Sequence, residues 1–270
     1  MNYQGDKLLH YKAYRHPTAT EWVVFVHGAG GSSAIWFKQI RPFRKRFNVL
    51  MPDLRGHGRS VVHDKIKEKY TLASVSSEIL DVLDHLKIES AHFVGISLGT
   101  LLIREILDDH PNRVRTLVMA GAITNFTLWA RFLIAAGNSL KYVIPFKALY
   151  ATFAWIIMPG KRASEARILF RREARQVSPP EFRRWLRLTA EIKNKLPYWR
   201  RSGGTRPVLY AMGGHDYMFL PSAKLLADVH ENVSLLVISE SGHVCNVERP
   251  DDFNQGTFSF FERYRERETV

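Results

Sequence analysis

A chain of 270 residues with 46% hydrophobic and 24% charged side chains can bury one large core and is too apolar to be intrinsically disordered. Its formal charge of +13 raises the question of nucleic acid, but no recognisable binding module accompanies the charge, so no such partner is expected. The lone cysteine, Cys245, excludes an internal disulfide, and Asp6, Lys7, Lys12 and Arg15 interrupt the region where a secretion signal would be apolar; both observations read as cytoplasmic.

In chain order, short apolar runs predict strands over 8–14, 22–27, 48–52, 92–96, 114–120, 208–212 and 234–238. Helical spacing predicts helices between them, notably over 71–86, 98–110 and 251–264. Strands that alternate with helices build an α/β domain, a mostly parallel sheet with helices on both faces. The rhythm breaks between 123 and 205, where no strand pattern occurs and the text turns aromatic and basic. This segment is expected to be a helical insertion closing over the sheet's edge, which divides the chain into a core of 1–122 and 206–270 and an inserted lid of 123–205. One lid helix is well marked: Ser178 is the N-cap, Pro179 lies in the first turn, and Glu181 stands where a capping box needs it. Phe182, Trp185, Leu186, Ile192 and Leu196 share one face of that helix, with Arg183, Arg184 and Arg187 opposite. The uncharged stretch 148–160 is too short to span a bilayer.

The stretch VGISLGT (94–100) sets Ser97 between Gly95 and Gly99 at the predicted junction of strand and helix. A sharp turn there strains the corner residue, flanking glycines remove Cβ clashes, and the helix N-terminus favours negative charge beside the serine oxygen. A nucleophilic serine needs a base, a group that orients the base, and donors for the oxyanion. Among eleven histidines, His243 is distinguished by its position, in the loop after the last strand and before the last helix. Asp216 follows the penultimate strand, with Gly213 and Gly214 allowing a tight exit. Loops at the carboxyl ends of parallel strands face one crevice, so the three can meet, in the chain order Ser, Asp, His.

These features resemble the α/β-hydrolase fold family, in its branch of single-domain esterases, enol-lactonases and C–C bond hydrolases. VVFVHGAGGSS (23–33) is similar to the family's oxyanion loop, MPDLRGHGRS (51–60) to its Asp-x-Arg-Gly-x-Gly-x-Ser segment, and GHVCNVERPDDFN (242–254) to the segment around its catalytic histidine. The resemblance implies a lid after the sixth core strand, Ser97 as nucleophile, His243 as general base, Asp216 as its orienter, and the backbone N–H groups of Ala29 and Leu98 as oxyanion donors. It implies no metal or organic cofactor. Thr100 departs from the glycine or alanine common at its position. His27 is expected to support its loop, Asp53, Arg55, Gly56, His57 and Gly58 to lock a turn, His215 to point away from the site, and Cys245 to fill space in the core.

The expected reaction is hydrolysis of a carboxylic ester through an acyl-enzyme, with a small-molecule ester or acyl compound as partner. C–C hydrolysis of a vinylogous keto acid and a ligand-binding signalling module on the same fold are the alternatives. Residues 123–205 hold 16 Lys and Arg against 4 Asp and Glu, so +12 of the chain's +13 lies in the lid, with 13 of its 32 aromatics. That charge is read in three ways: a solvated face, attraction of an anionic substrate, or weak peripheral contact with an anionic membrane.

Overall fold

The computed structural model describes residues 8–60, 70–140 and 143–268. The start of the chain, which the sequence reading took to lack a secretion signal, falls partly outside them. In chain order the elements are β1 (Tyr11–Tyr14), β2 (Trp22–Val26), α1 (Phe37–Phe43), β3 (Asn48–Pro52), α2 (Leu72–His85), β4 (Ala91–Ile96), α3 (Leu98–Asp109) and β5 (Val114–Ala120). Four helices follow: α4 (Leu128–Leu140), α5 (Phe146–Ile157), α6 (Ser164–Ala174) and α7 (Pro179–Ser202). The chain then returns to the sheet through β6 (Val208–Gly213), α8 (Leu220–Val229), β7 (Val233–Ile238), α9 (Cys245–Glu248) and α10 (Pro250–Glu268).

The described strands form one sheet in the order β1-β3-β2-β4-β5-β6-β7, parallel except for β1, which runs antiparallel to β3. Strands β2, β3 and β4 are buried on both faces, as their uninterrupted apolar sequences require. Alternation divides their side chains between two cores. Val24, Val26 and Phe93 join the cluster under α2 and α3, whereas Val23, Phe25 and Val94 pack with Phe43 of α1 and with Phe253, Phe258 and Phe261 of α10. From β2 the chain moves outward to β3 and then back across to β4. That reversal opens a crevice beyond the carboxyl ends of β2 and β4, where open α/β sheets bind ligands.

The predicted strands all form, the first shorter by three residues and the second by one. Strand pairing with β3 starts at Tyr11: the His10 carbonyl still accepts from the Asp53 N–H at 2.8 Å, but its N–H turns to the Ser60 hydroxyl at 2.8 Å. The helical insertion follows β5, the fifth of the seven described strands; the numbering implied by the family resemblance, after a sixth, runs one ahead of this sheet. In α7 the Ser178 hydroxyl accepts from the Glu181 N–H at 3.3 Å, the first half of the expected capping box. The second half is not formed, because the Glu181 carboxylate is engaged by the Tyr70 hydroxyl and by Arg184.

Candidate active site

Ser97 stands between the last residue of β4 and the first of α3 at φ 53°, ψ −120°, a backbone conformation that L-residues rarely adopt. Such a corner costs about 1–3 kcal/mol and survives only where its surroundings dictate it. Here the Ser97 N–H is held by the Ala120 carbonyl at 3.0 Å, and its carbonyl accepts from the Thr100 N–H and hydroxyl. The flanking glycines contribute closeness: a Cβ on Gly99 would lie 2.3 Å from the Val26 carbonyl oxygen, and one on Gly95 2.8 Å from Gly99. The departure at Thr100 is accommodated, since its side chain is fully buried and its hydroxyl donates back to Ser97 at 2.6 Å.

The loops after β6 and β7 bring Asp216 and His243 together. His243 Nδ1 lies 2.9 Å from Asp216 Oδ2, both residues are buried, and the Phe219 N–H donates to Asp216 Oδ1 at 3.2 Å. An ionised carboxylate only accepts, so the imidazole proton sits on Nδ1 and the Nε2 lone pair is left available. Among the described residues, buried Nε2 has no hydrogen-bond partner, so the bond to Ser97 is not made in this structure. Ser97 and His243 nevertheless line one small cavity, and catalytic hydrogen bonds commonly tighten only when substrate arrives. Glycines allow the loops to meet: a Cβ on Gly213 would come within 2.0 Å of the Gly242 carbonyl, and Gly121, at φ 50°, passes against His243.

Ala29 and Leu98, the expected oxyanion donors, both line the cavity that Ser97 borders. Leu98 opens α3, so its N–H has no partner within the helix and sits at the positive end of the helix dipole. Two buried histidines hold the opposing loop. Leu54 N–H donates to His27 Nε2 at 2.9 Å and Gly30 N–H donates to His57 Nε2 at 2.8 Å, which leaves Nδ1–H of each ring to bond Gly28 O and Arg55 O. His27 thus supports its loop as expected, while His57 does more than lock a turn, since its ring also lines the cavity beside Ser97. Asp53 does lock the turn, accepting from the N–H groups of Ser33 and Arg59. His215 points to the surface, toward Arg162 and Glu240, and Cys245 is a buried free thiol whose pKa burial pushes up.

Burial drives the pKa of His27 below the ordinary histidine range and, with the neighbouring His27, that of His57 down to about 3, while Asp53 pulls both upward. Both rings are neutral in the fold, yet each binds a proton in the unfolded chain below about pH 6.5. Their contribution to stability is therefore complete above pH 6.5 and is lost as the pH falls, for His57 toward about 3. His57 alone should cost about 2 kcal/mol between pH 6.5 and 5. Urea unfolding at those two pH values should show this loss, and the loss should shrink in His57→Gln; an equal pH slope in both proteins would contradict it.

A cavity of about 370 Å³ runs from Ser97 under the helical insertion, within the range of small-molecule sites. Leu133, Ala136 and Gly137 of α4, Leu149, Phe153 and Ile156 of α5, and Phe182, Trp185 and Ile192 of α7 line it. No lysine, arginine or carboxylate is among the described lining residues. The smaller cavity, which reaches His243, has one charged wall residue, Glu173 of α6, whose Oε2 accepts from the Ser32 hydroxyl at 2.6 Å. In sequence Glu173 looks like part of a surface charge run; its role depends on how α6 docks.

A sequence profile of the α/β-hydrolase fold matches residues 21–146, from β2 through α4. Over that segment the chain is similar to the α/β-hydrolase family, and its mostly parallel sheet with flanking helices has the α/β-hydrolase fold. RutD of Caulobacter vibrioides, which bears a carbamate-hydrolase name, is 27% identical over 94% of this chain and 95% of its own. A hydrolase from Pseudomonas aeruginosa superposes with a TM-score of 0.80 at 22% identity, covering 93% of each chain. An enol-lactonase from Burkholderia xenovorans superposes with a TM-score of 0.78, also at 22% identity, covering 94% of this chain and 96% of that one. At such identities the two structures bear on the fold alone. Among the described residues no three metal-ligating side chains are grouped as a metal ion would need.

Proposed function

We propose that the protein is a serine hydrolase that cleaves an uncharged carboxylic ester with a substantial apolar chain through an acyl-enzyme. The observation that carries this reading is the buried Asp216–His243 pair beside a strained serine that opens on a large, uncharged, apolar cavity. The Ser97 hydroxyl attacks the ester carbonyl while its proton passes to His243 Nε2. Asp216 stabilises the imidazolium so formed, and the N–H groups of Ala29 and Leu98 receive the oxyanion. The proton then leaves with the alcohol, and a water activated by the same nitrogen releases the acid.

The wall chemistry weighs against C–C hydrolysis of a vinylogous keto acid, because no described lysine or arginine lines either cavity to pair with an anionic substrate, and Arg172, the cation beside the wall, is already paired with Glu173 at 2.9 Å. The signalling-module alternative differs in kinetics: a single slow acylation without turnover would mark it. A panel of 4-nitrophenyl esters tests the enzymatic reading. Catalytic efficiency should rise with acyl length from acetate upward and fall sharply for an ester ending in a carboxylate. Glu173→Gln, which keeps the acceptor for Ser32, should raise kcat/KM for the carboxylate-bearing ester tenfold or more relative to its neutral analogue, since a like charge a few ångströms away in a partly buried site costs on the order of 1.4 kcal/mol or more. Efficiency independent of chain length, or a preference for the anionic ester in the wild type, would contradict the assignment.

A further inference from the structure

The four acidic residues of the insertion all turn toward the core or its own anchoring contacts. Glu165 pairs with Lys38 at 2.7 Å, Glu173 binds Ser32, Glu181 binds Tyr70 and Arg184, and Glu191 accepts from the Leu72 N–H at 3.1 Å. The acids thus fasten the insertion down, and the cations dominate its outer side: Lys147, Lys161, Arg171 and Arg175 are all exposed. That side also carries apolar residues that water does not favour. Leu128 is 84% exposed, Val143 80%, Ile168 70% and Trp155 55%. On α4, Leu133, Ala136 and Gly137 line the cavity, whereas Leu128, Arg131 and Phe132 are exposed to solvent. Among the described residues no helix is long and apolar enough to cross a membrane.

From this juxtaposition of unbalanced positive charge and exposed apolar side chains on α4, α5 and α6, we propose that the outer face of the insertion docks on anionic lipid bilayers. Cations hold the surface at a distance set by screening, and the apolar side chains enter the interface, the arrangement by which amphipathic helices lie on membranes without spanning them. The occupant is a bilayer rather than a generic polyanion because charge alone would not require Leu128 and Val143 outside. Two of these helices, α4 and α5, also wall the large cavity, so docking places that apolar wall against the lipid. The inference concerns binding and stands apart from the catalytic reading.

Co-sedimentation with phosphatidylglycerol vesicles and with phosphatidylcholine vesicles, from 20 mM to 500 mM salt, tests it. The protein should sediment with the anionic vesicles at low salt, markedly less with the zwitterionic ones, and progressively less as salt shortens the field to about 10 Å at 0.1 M and below that beyond it. Lys147→Glu with Arg171→Glu should weaken anionic binding by well over tenfold, at about fivefold per cation removed. Leu128→Ser with Val143→Ser, which leaves every charge in place, should also weaken it severalfold. Unchanged circular dichroism and thermal unfolding midpoints show that each variant is folded. Equal sedimentation with both lipids at low salt would overturn the proposal. So would undiminished vesicle binding by the apolar variant, which would leave a generic polyanion site. Concentration-dependent dimers in light scattering that disappear in the apolar variant would overturn it in favour of a second copy of the chain.

Discussion

Ser97→Ala should reduce kcat by about 10⁶-fold while leaving the protein folded. The magnitude follows from the way members of a nucleophile–base–acid unit act together: losing the nucleophile removes nearly the whole covalent route, as in serine proteases. Alanine keeps the Cβ, so the strain at φ 53° is unchanged and the hold of the Ala120 carbonyl on the backbone N–H survives. The cavity also keeps its walls, so a non-hydrolysable ester analogue should bind the variant with little change in affinity. Catalysis that remains comes from oxyanion donors and binding alone. Stopped assays at high enzyme concentration would measure it. Wild-type turnover by a folded Ser97→Ala protein would remove the serine from the mechanism.

Asp216→Asn should lower kcat by about 10⁴-fold with little effect on KM, since Asp216 lies behind His243 and is not part of the cavity wall. In the wild type the carboxylate accepts at 2.9 Å and keeps the imidazole proton on Nδ1. A carboxamide can present its NH₂ to the same nitrogen, which transfers the proton to Nε2 and blocks the lone pair that must receive the serine proton. The variant also loses the negative charge that stabilises the imidazolium. A split of this kind, kcat down and KM steady, separates an orienting acid from a residue that merely supports the loop, whose loss would move both. Full activity in the Asp216→Asn protein would place the orienting acid elsewhere.

Much of this was legible in the sequence because the physics is local. Apolar runs of five to seven residues bounded by turn residues became β2 to β7, and a Gly-x-Ser-x-Gly at a strand–helix boundary became a strained corner. Asp216 and His243 could be singled out because parallel strands deliver their following loops to one edge. What escaped depends on docking across long separations. Glu173 meets Ser32 across 141 residues, and nothing near it in sequence distinguishes a cavity wall from a solvated charge run. Glu181 read as half of a capping box, but Tyr70, 111 residues away, offers its carboxylate a better partner. His57 read as a turn residue; its second role appears only where the Gly30 N–H reaches its ring. The cavity itself is built from three insertion helices whose apolar faces, seen singly, are ordinary core stripes.

The most direct test of the central claim is to react the protein with a fluorophosphonate and locate the adduct by intact mass and peptide mapping. A fluorophosphonate phosphonylates an activated serine and mimics the tetrahedral intermediate in which the oxyanion is bound. The account predicts one adduct per chain, on Ser97, formed with loss of ester turnover in step with labelling, and strongly slowed in Asp216→Asn. An unmodified mass after prolonged exposure of an actively hydrolysing sample, or an adduct on any residue other than Ser97, would contradict it.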